Sequence, residues 1–93
     1  MAPRGDLDAA TNPAFRDALR AASDGERLVL DLSEVSFMSA GAIGVIVRVR
    51  TLMERGNGQL FVICPNPRLR RMFEIVGLSG TLDLLNSRDA VPA

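Results

Sequence analysis

Two short apolar runs, LVLDL at 28–32 and LFVIC at 60–64, flank a stretch that reads as one continuous helix. This pattern constrains the chain most. A strand, a long helix and a second strand make a crossover unit, and such units are right-handed and place their strands parallel. The first run extends as RLVLDLSEVSF. Leu28, Leu30 and Leu32 alternate with Val29 and Asp31, and both faces are apolar at the start, as in a strand covered on both sides. Ser33-Glu34 reads as a bend or bulge, after which Val35 and Phe37 resume the alternation. The helix begins near Ala40 and runs to about Arg55, where Gly56-Asn57-Gly58 stops it.

The flanks repeat the theme. Asn12-Pro13 reads as a cap and a first helical position. Phe15, Ala18, Leu19 and Ala22 follow at helical spacing, and Ser23-Asp24-Gly25 ends the helix. Pro65-Asn66-Pro67 turns into a third helix over RLRRMFEIVG. Leu69, Met72, Phe73 and Val76 form its apolar face, Arg68, Arg70, Arg71 and Glu74 its wet face, and Gly77 its end. TLDLL at 81–85 is a short third strand. The expected order is α-β-α-β-α-β in a single α/β domain over 1–93, with a small, mostly parallel sheet. Residues 1–7 are a short polar lead, so no strand precedes the first helix. A three-stranded sheet has exposed edges, which implies a truncated domain or an edge covered by another chain.

Composition narrows the function. Basic and acidic residues number 11 each, for a formal net charge of zero. A nucleic-acid binder needs a basic surplus, so that class is set aside. His is absent, which removes the usual general base and His-based metal sites, and nothing in the chain implies a cofactor. Cys64, the one cysteine, ends an apolar run and reads as a buried structural thiol. No apolar run approaches the roughly 20 residues of a membrane span, and MAPRGDLD is not a signal peptide. A cytoplasmic protein is the expectation.

The stretch FMSAGAIGVIVRV, 37–49, carries the candidate site. Ser39, Ala40, Gly41 and Ala42 crowd the junction of strand and helix. Ile43, Ile46, Val47 and Arg50 share one helix face, while Ala42, Val45, Val49 and Leu52 spread the apolar coverage further. Such a helix is buried on one side and meets something on the other. Val45 and Val49 are therefore either a contact patch or core. Arg48 and Arg50 leave the helix on different sides, and each is either a contact for an acidic partner or solvated surface.

Three segments together resemble the STAS domain, the fold of bacterial anti-sigma factor antagonists. GDLDAATNPAFRDAL (5–19) is similar to the family's G-E-L-D-x-x-T segment and first helix. LVLDLSEVSFMSAGAIGVIV (28–47) is similar to its strand, phosphorylation loop and second helix, and PNPRLRRMFEIVGL (65–78) to its third helix. The resemblance covers roughly residues 5–85 and implies a partner-switching role. In that role, as the resemblance implies it, the unphosphorylated family member binds an anti-sigma factor, often a serine kinase, and so frees a sigma factor. Two departures stand out. The family has one or two strands before G-E-L-D, whereas four residues stand before Gly5. Its switch reads F-x-D-S-S-G-L-G. An ungapped overlay on Phe37 and Gly44 places Ser39 at the Asp, Ala40 at the phosphorylated Ser, Gly41 at the second Ser and Ala42 at the Gly. Sliding by one residue puts Ser39 on the acceptor but breaks the match of Phe37 or of Ile43-Gly44.

Ser39 thus has two readings. As an N-cap its hydroxyl accepts from an amide at the helix start, worth about 1 kcal/mol. As a phosphoacceptor it would gain a charge of about −1.5 to −2, which a helix N-terminus tolerates. Asp8 matches the Asp that the family places near the loop; it is equally a helix-start residue favoured by the dipole. Asp31 either faces the loop or is solvated. The resemblance also leaves a non-phosphorylatable scaffold, a homodimer through the uncovered sheet edge, and a STAS subunit of a lipid transporter. The last uses a Thr in this loop, and none lies between Phe37 and Arg50. An enzyme has nothing here to work with.

Overall fold

The computed structural model describes residues 1–75, 82 and 84–92. Its elements are β1 (Gly5–Leu7), α1 (Asn12–Ala22), β2 (Arg27–Asp31), β3 (Val35–Met38), α2 (Ala40–Arg55), β4 (Gln59–Ile63), α3 (Pro67–Ile75), β5 (Leu84–Leu85) and a 3-10 turn at Arg88–Ala90. Among the described residues every strand pairing is parallel. β2 pairs with β4 from Arg27↔Gln59 to Asp31↔Ile63, and β4 with β5 at Val62↔Leu84 and Ile63↔Leu85. β1 pairs with β3 at Gly5↔Val35, Asp6↔Phe37 and Leu7↔Met38. The predicted end of α3 at Gly77 lies outside the described residues, as do Val76, Thr81 and Asp83.

Two expectations change. The polar lead contains a strand, β1, so the chain does not open with a helix. β1 is too short to show an apolar period. Leu7 is its buried residue, at 4% exposure, and the edge of β3 supplies its partners. A register shift falls between Gly5 and Asp6, where Gly5 takes φ +77°, a conformation open to glycine at little cost. Before it, the Met1 amino group donates to Val29 O at 3.0 Å, and Asp31 N–H donates to Met1 O at 2.8 Å.

The second change splits the long strand. Asp31 accepts from Ser33 N–H at 2.9 Å and from the Ser33 hydroxyl, an Asx turn in place of the ladder. Val35 N–H then closes the turn on Leu32 O at 3.1 Å. β2 therefore serves β4, and β3 serves β1. Coverage of β2 is also one-sided: Leu28 and Leu30 are buried, while Val29 and Asp31 are half-buried. On the open face the Arg27 guanidinium lies 5.0 Å from the centroid of the Phe61 ring.

α2 is the central helix and packs on β3, β4 and α1; α3 packs on β3. Ala42, Ile43, Ile46, Val49 and Met53 form its inner stripe, at the spacing one helix face requires. From α1, Phe15 and Leu19 are buried, whereas Ala18 and Ala22 face solvent. Each large side chain in this core contributes roughly 1.5–3 kcal/mol of burial. Arg70, expected on the wet face of α3, is half-buried and tied to backbone. Cys64 is fully buried as a packing residue, and burial pushes its thiol up.

Candidate functional site

The site is built where β1 and β3 end side by side. Ser39 N–H donates to Leu7 O at 2.8 Å, which carries the β1–β3 ladder one step past the strands. Two turns leave from that point: 8–11 runs into α1, and 39–42 runs into α2. Ser39 has extended backbone, φ −78° and ψ 162°, and its Oγ accepts from Ala42 N–H at 3.1 Å. That is N-cap geometry. Ser39 is half-buried, Ala40 and Gly41 are exposed, and Ala42 is fully buried.

Asp8 spends its carboxylate locally. It accepts from Ala10 N–H at 3.0 Å and Thr11 N–H at 3.1 Å, while Asp8 N–H donates to Thr11 Oγ1 at 2.9 Å. This is the reciprocal pattern of a capping box. The Thr11 N–H above all holds the Asp8 carboxyl below its ordinary value; burial opposes it, and the Thr11 hydroxyl and the Ala10 N–H reinforce it. The turn places Asp8 one residue beyond the Leu7–Ser39 bond. Asp31 joins the Ser33 turn instead, and Arg88 Nε stands 3.3 Å from its carboxylate. None of its hydrogen-bond or ion-pair partners belongs to the 39–42 loop.

Between Asp8 and Arg48 the exposed skin of the site is small and uncharged. Ala9, Ala10, Ala40, Gly41 and Gly44 are exposed, and Phe37 beside them is 46% exposed. Along α2, Arg48 is exposed and Val45 half-buried. Val49 is 2% exposed, so it belongs to the core rather than to a contact patch. Ala42, at 0%, likewise shapes the site from beneath. Both point along the inner stripe because α2 is pressed between α1 and the sheet. Arg50 is half-buried and pairs with Glu54 at 3.1 Å, one helical turn on.

Sequence reasoning missed Asn12. It is not the cap of α1: the helix starts at Asn12, and Thr11 precedes it. Its amide instead reaches α2. The amide orientation that satisfies both neighbours donates to Asp8 O at 3.3 Å and accepts from Ala42 N–H at 3.3 Å. The available signal was Gly41, a glycine inside a run otherwise suited to helix.

Among the described residues, no helix is long and apolar enough to cross a membrane, and no group of three or more His, Cys, Asp or Glu side chains is placed to hold a metal.

The anti-sigma-B factor antagonist of Listeria monocytogenes is 36% identical over 84 residues, which cover 88% of this chain and 74% of the relative. The crystal structure of an anti-sigma factor antagonist from Mycobacterium paratuberculosis superposes with a TM-score of 0.83 at 28% identity, covering 95% of this chain and 76% of that one. The anti-sigma factor antagonist SpoIIAA in its unphosphorylated form shares the fold, with a TM-score of 0.71 at 16% identity over 95% of this chain and 78% of the other. The STAS domain profile matches residues 1–90, and the chain belongs to the STAS domain family.

Proposed function

We propose that this chain is an anti-sigma factor antagonist that is not switched off by phosphorylation at its contact loop. The names of the similar proteins support the first half. In this reading the exposed surface at the start of α2, with Ala40 and Gly41 at its centre above the Ser39 cap and with Val45 and Arg48 along the helix, binds an anti-sigma factor of the serine-kinase type and so frees a sigma factor. Binding is the whole of the role, in the cytoplasm, with neither catalysis nor nucleic acid involved.

One observation carries the second half: the Ser39 hydroxyl is engaged as the cap of α2, and the exposed position after it is Ala40. A methyl group cannot accept a phosphate. An uncharged centre at Ala40 and Gly41 also suits close docking, because it brings little charge to desolvate.

Calorimetry with a serine-kinase anti-sigma factor, before and after incubation with ATP, tests this, with the intact mass of the chain read afterwards. The expected result is equal binding in both conditions and an unchanged mass. Gain of one phosphate at Ser39 with loss of binding would sink the unswitched reading. No binding at all would favour a scaffold STAS protein that dimerises through the outer side of β1, which no strand among the described residues covers.

A further inference from the structure

Gly41 is unusual for a reason its backbone does not supply. It sits in the first turn of α2, and among the described residues the one glycine with positive φ is Gly5. Glycine in a helix interior costs about 0.5–1 kcal/mol relative to alanine, and less in the first turn, and the backbone of Gly41 gives no reason for bearing that cost. The surroundings give one. A Cβ at residue 41 would stand 2.7 Å from the terminal amide of Asn12, closer than real Cβ contacts come. Asn12 occupies the volume that any other residue at 41 would fill.

Asn12 is held there from two directions. In the orientation that satisfies both neighbours, its amide donates to Asp8 O and accepts from Ala42 N–H, both at 3.3 Å. Ala42 N–H also faces Ser39 Oγ at 3.1 Å, so the bond is shared, a common arrangement at helix ends. Asp8 O in turn accepts Asn12 N–H at 2.9 Å. One uncharged side chain thus joins the 8–11 turn to the first turn of α2 across the gap that Gly41 leaves open.

We propose that Asn12 and Gly41 form a latch that makes the two turns a single preformed contact surface. Asn12 is its positioning residue, and Gly41 is the absence of a side chain that admits it. The consequence for affinity rests on the anti-sigma factor reading; the latch itself does not. A preformed surface leaves less loop ordering to be done on binding.

Thermal unfolding and calorimetry of Gly41→Ala, Asn12→Ala and the double variant test the latch. Replacing Gly41 with Ala in the wild-type chain displaces Asn12 and lowers the Tm. In the Asn12→Ala background the same replacement meets no obstacle and raises the Tm through helix propensity. The two shifts are expected to differ by about 3 °C or more. A Gly41→Ala shift equal in both backgrounds overturns the latch and leaves the antagonist reading untouched. Against the serine-kinase anti-sigma factor, all three variants are expected to lose affinity by a similar factor, about tenfold. Losses that multiply in the double variant overturn the positioning role. An anti-sigma factor that ignores the wild-type chain overturns the antagonist reading, while the unfolding cycle still decides the latch.

Discussion

Arg70 Nε donates to the carbonyl oxygen of Cys64 at 2.7 Å. The same guanidinium donates from Nη2 to Leu84 O at 3.0 Å and to Asn86 Oδ1 at 2.6 Å. A side chain from α3 therefore ties the end of β4 to β5, two strands that share just two paired positions. The planar fork is what allows one residue to hold several acceptors.

Arg70→Lys is expected to be far from conservative. An ammonium on a flexible stem cannot span the same acceptors, and part-buried carbonyls would lose their donors. The expected cost is about 1–3 kcal/mol, which a domain of this size shows as a Tm lower by roughly 4–24 °C. Thermal unfolding checks it. A Tm within a degree of wild type would mean that the fork contributes nothing.

Val49 and Arg48 are adjacent in sequence and opposite in environment. Val49→Ala removes buried methyl groups and is expected to cost about 1–3 kcal/mol. Arg48→Ala changes an exposed side chain and is expected to stay within about 0.5 kcal/mol, while changing the rate at which an acidic partner associates. Denaturant unfolding with association kinetics separates the two. Loss of stability from Arg48→Ala, or its absence from Val49→Ala, would reverse the assignment.

These contrasts show what the sequence could tell. The alternation of LVLDL and LFVIC with helical segments exposed the parallel α/β plan, because strand and helix periods are local properties. Ser39 as an N-cap was legible for the same reason: a hydroxyl before an apolar helical run forms its bond three residues on. β1 was not legible, since Gly5–Leu7 becomes a strand through a partner roughly thirty residues away. Ser33 signalled a bend, but not that its two sides pair with different strands. Asn12 stood beside Pro13 in a pattern that fits a cap, and its real partner lies on another helix. Arg70 matched the polar face of α3 by period, yet its length lets it fold back onto β4. The misses share one cause: each side chain or segment was claimed by a tertiary contact that local pattern does not encode.

Ser39 and Ala40 should respond in opposite ways. Ser39→Ala removes the cap and is expected to cost about 1 kcal/mol while leaving affinity for an anti-sigma factor nearly intact. Ala40→Asp places a carboxylate at the exposed first position of α2, where the helix dipole favours it by about 0.3–1 kcal/mol. It is expected to keep or raise the Tm and to weaken partner binding, since the charge must be desolvated on docking. Unfolding and calorimetry on both variants check the pair. If Ser39→Ala abolished binding at unchanged stability, the hydroxyl would be a contact rather than a cap.

Acid should weaken the fold through Asp8 and Asp31. The Thr11 N–H holds the Asp8 carboxyl below its ordinary value, and the Ser33 hydroxyl, with the Ser33 N–H and Arg88, does the same for Asp31. A carboxyl with a folded pKa below its unfolded value adds stability above the unfolded value, about 3.9. That stability is lost as pH falls through the folded value. The Tm is therefore expected to be level from about pH 7 to about pH 5 and to fall below about pH 4. Asp31→Asn keeps an acceptor for Ser33 but removes the charge, so it should lower the Tm near neutrality and flatten the acid slope. At the acid end the variant and wild type should converge, because there the wild-type carboxyl is protonated too. Melts across this range decide it. Parallel curves that never converge would mean that Asp31 acts through shape, and that the charge shared with Ser33 and Arg88 contributes nothing to the fold.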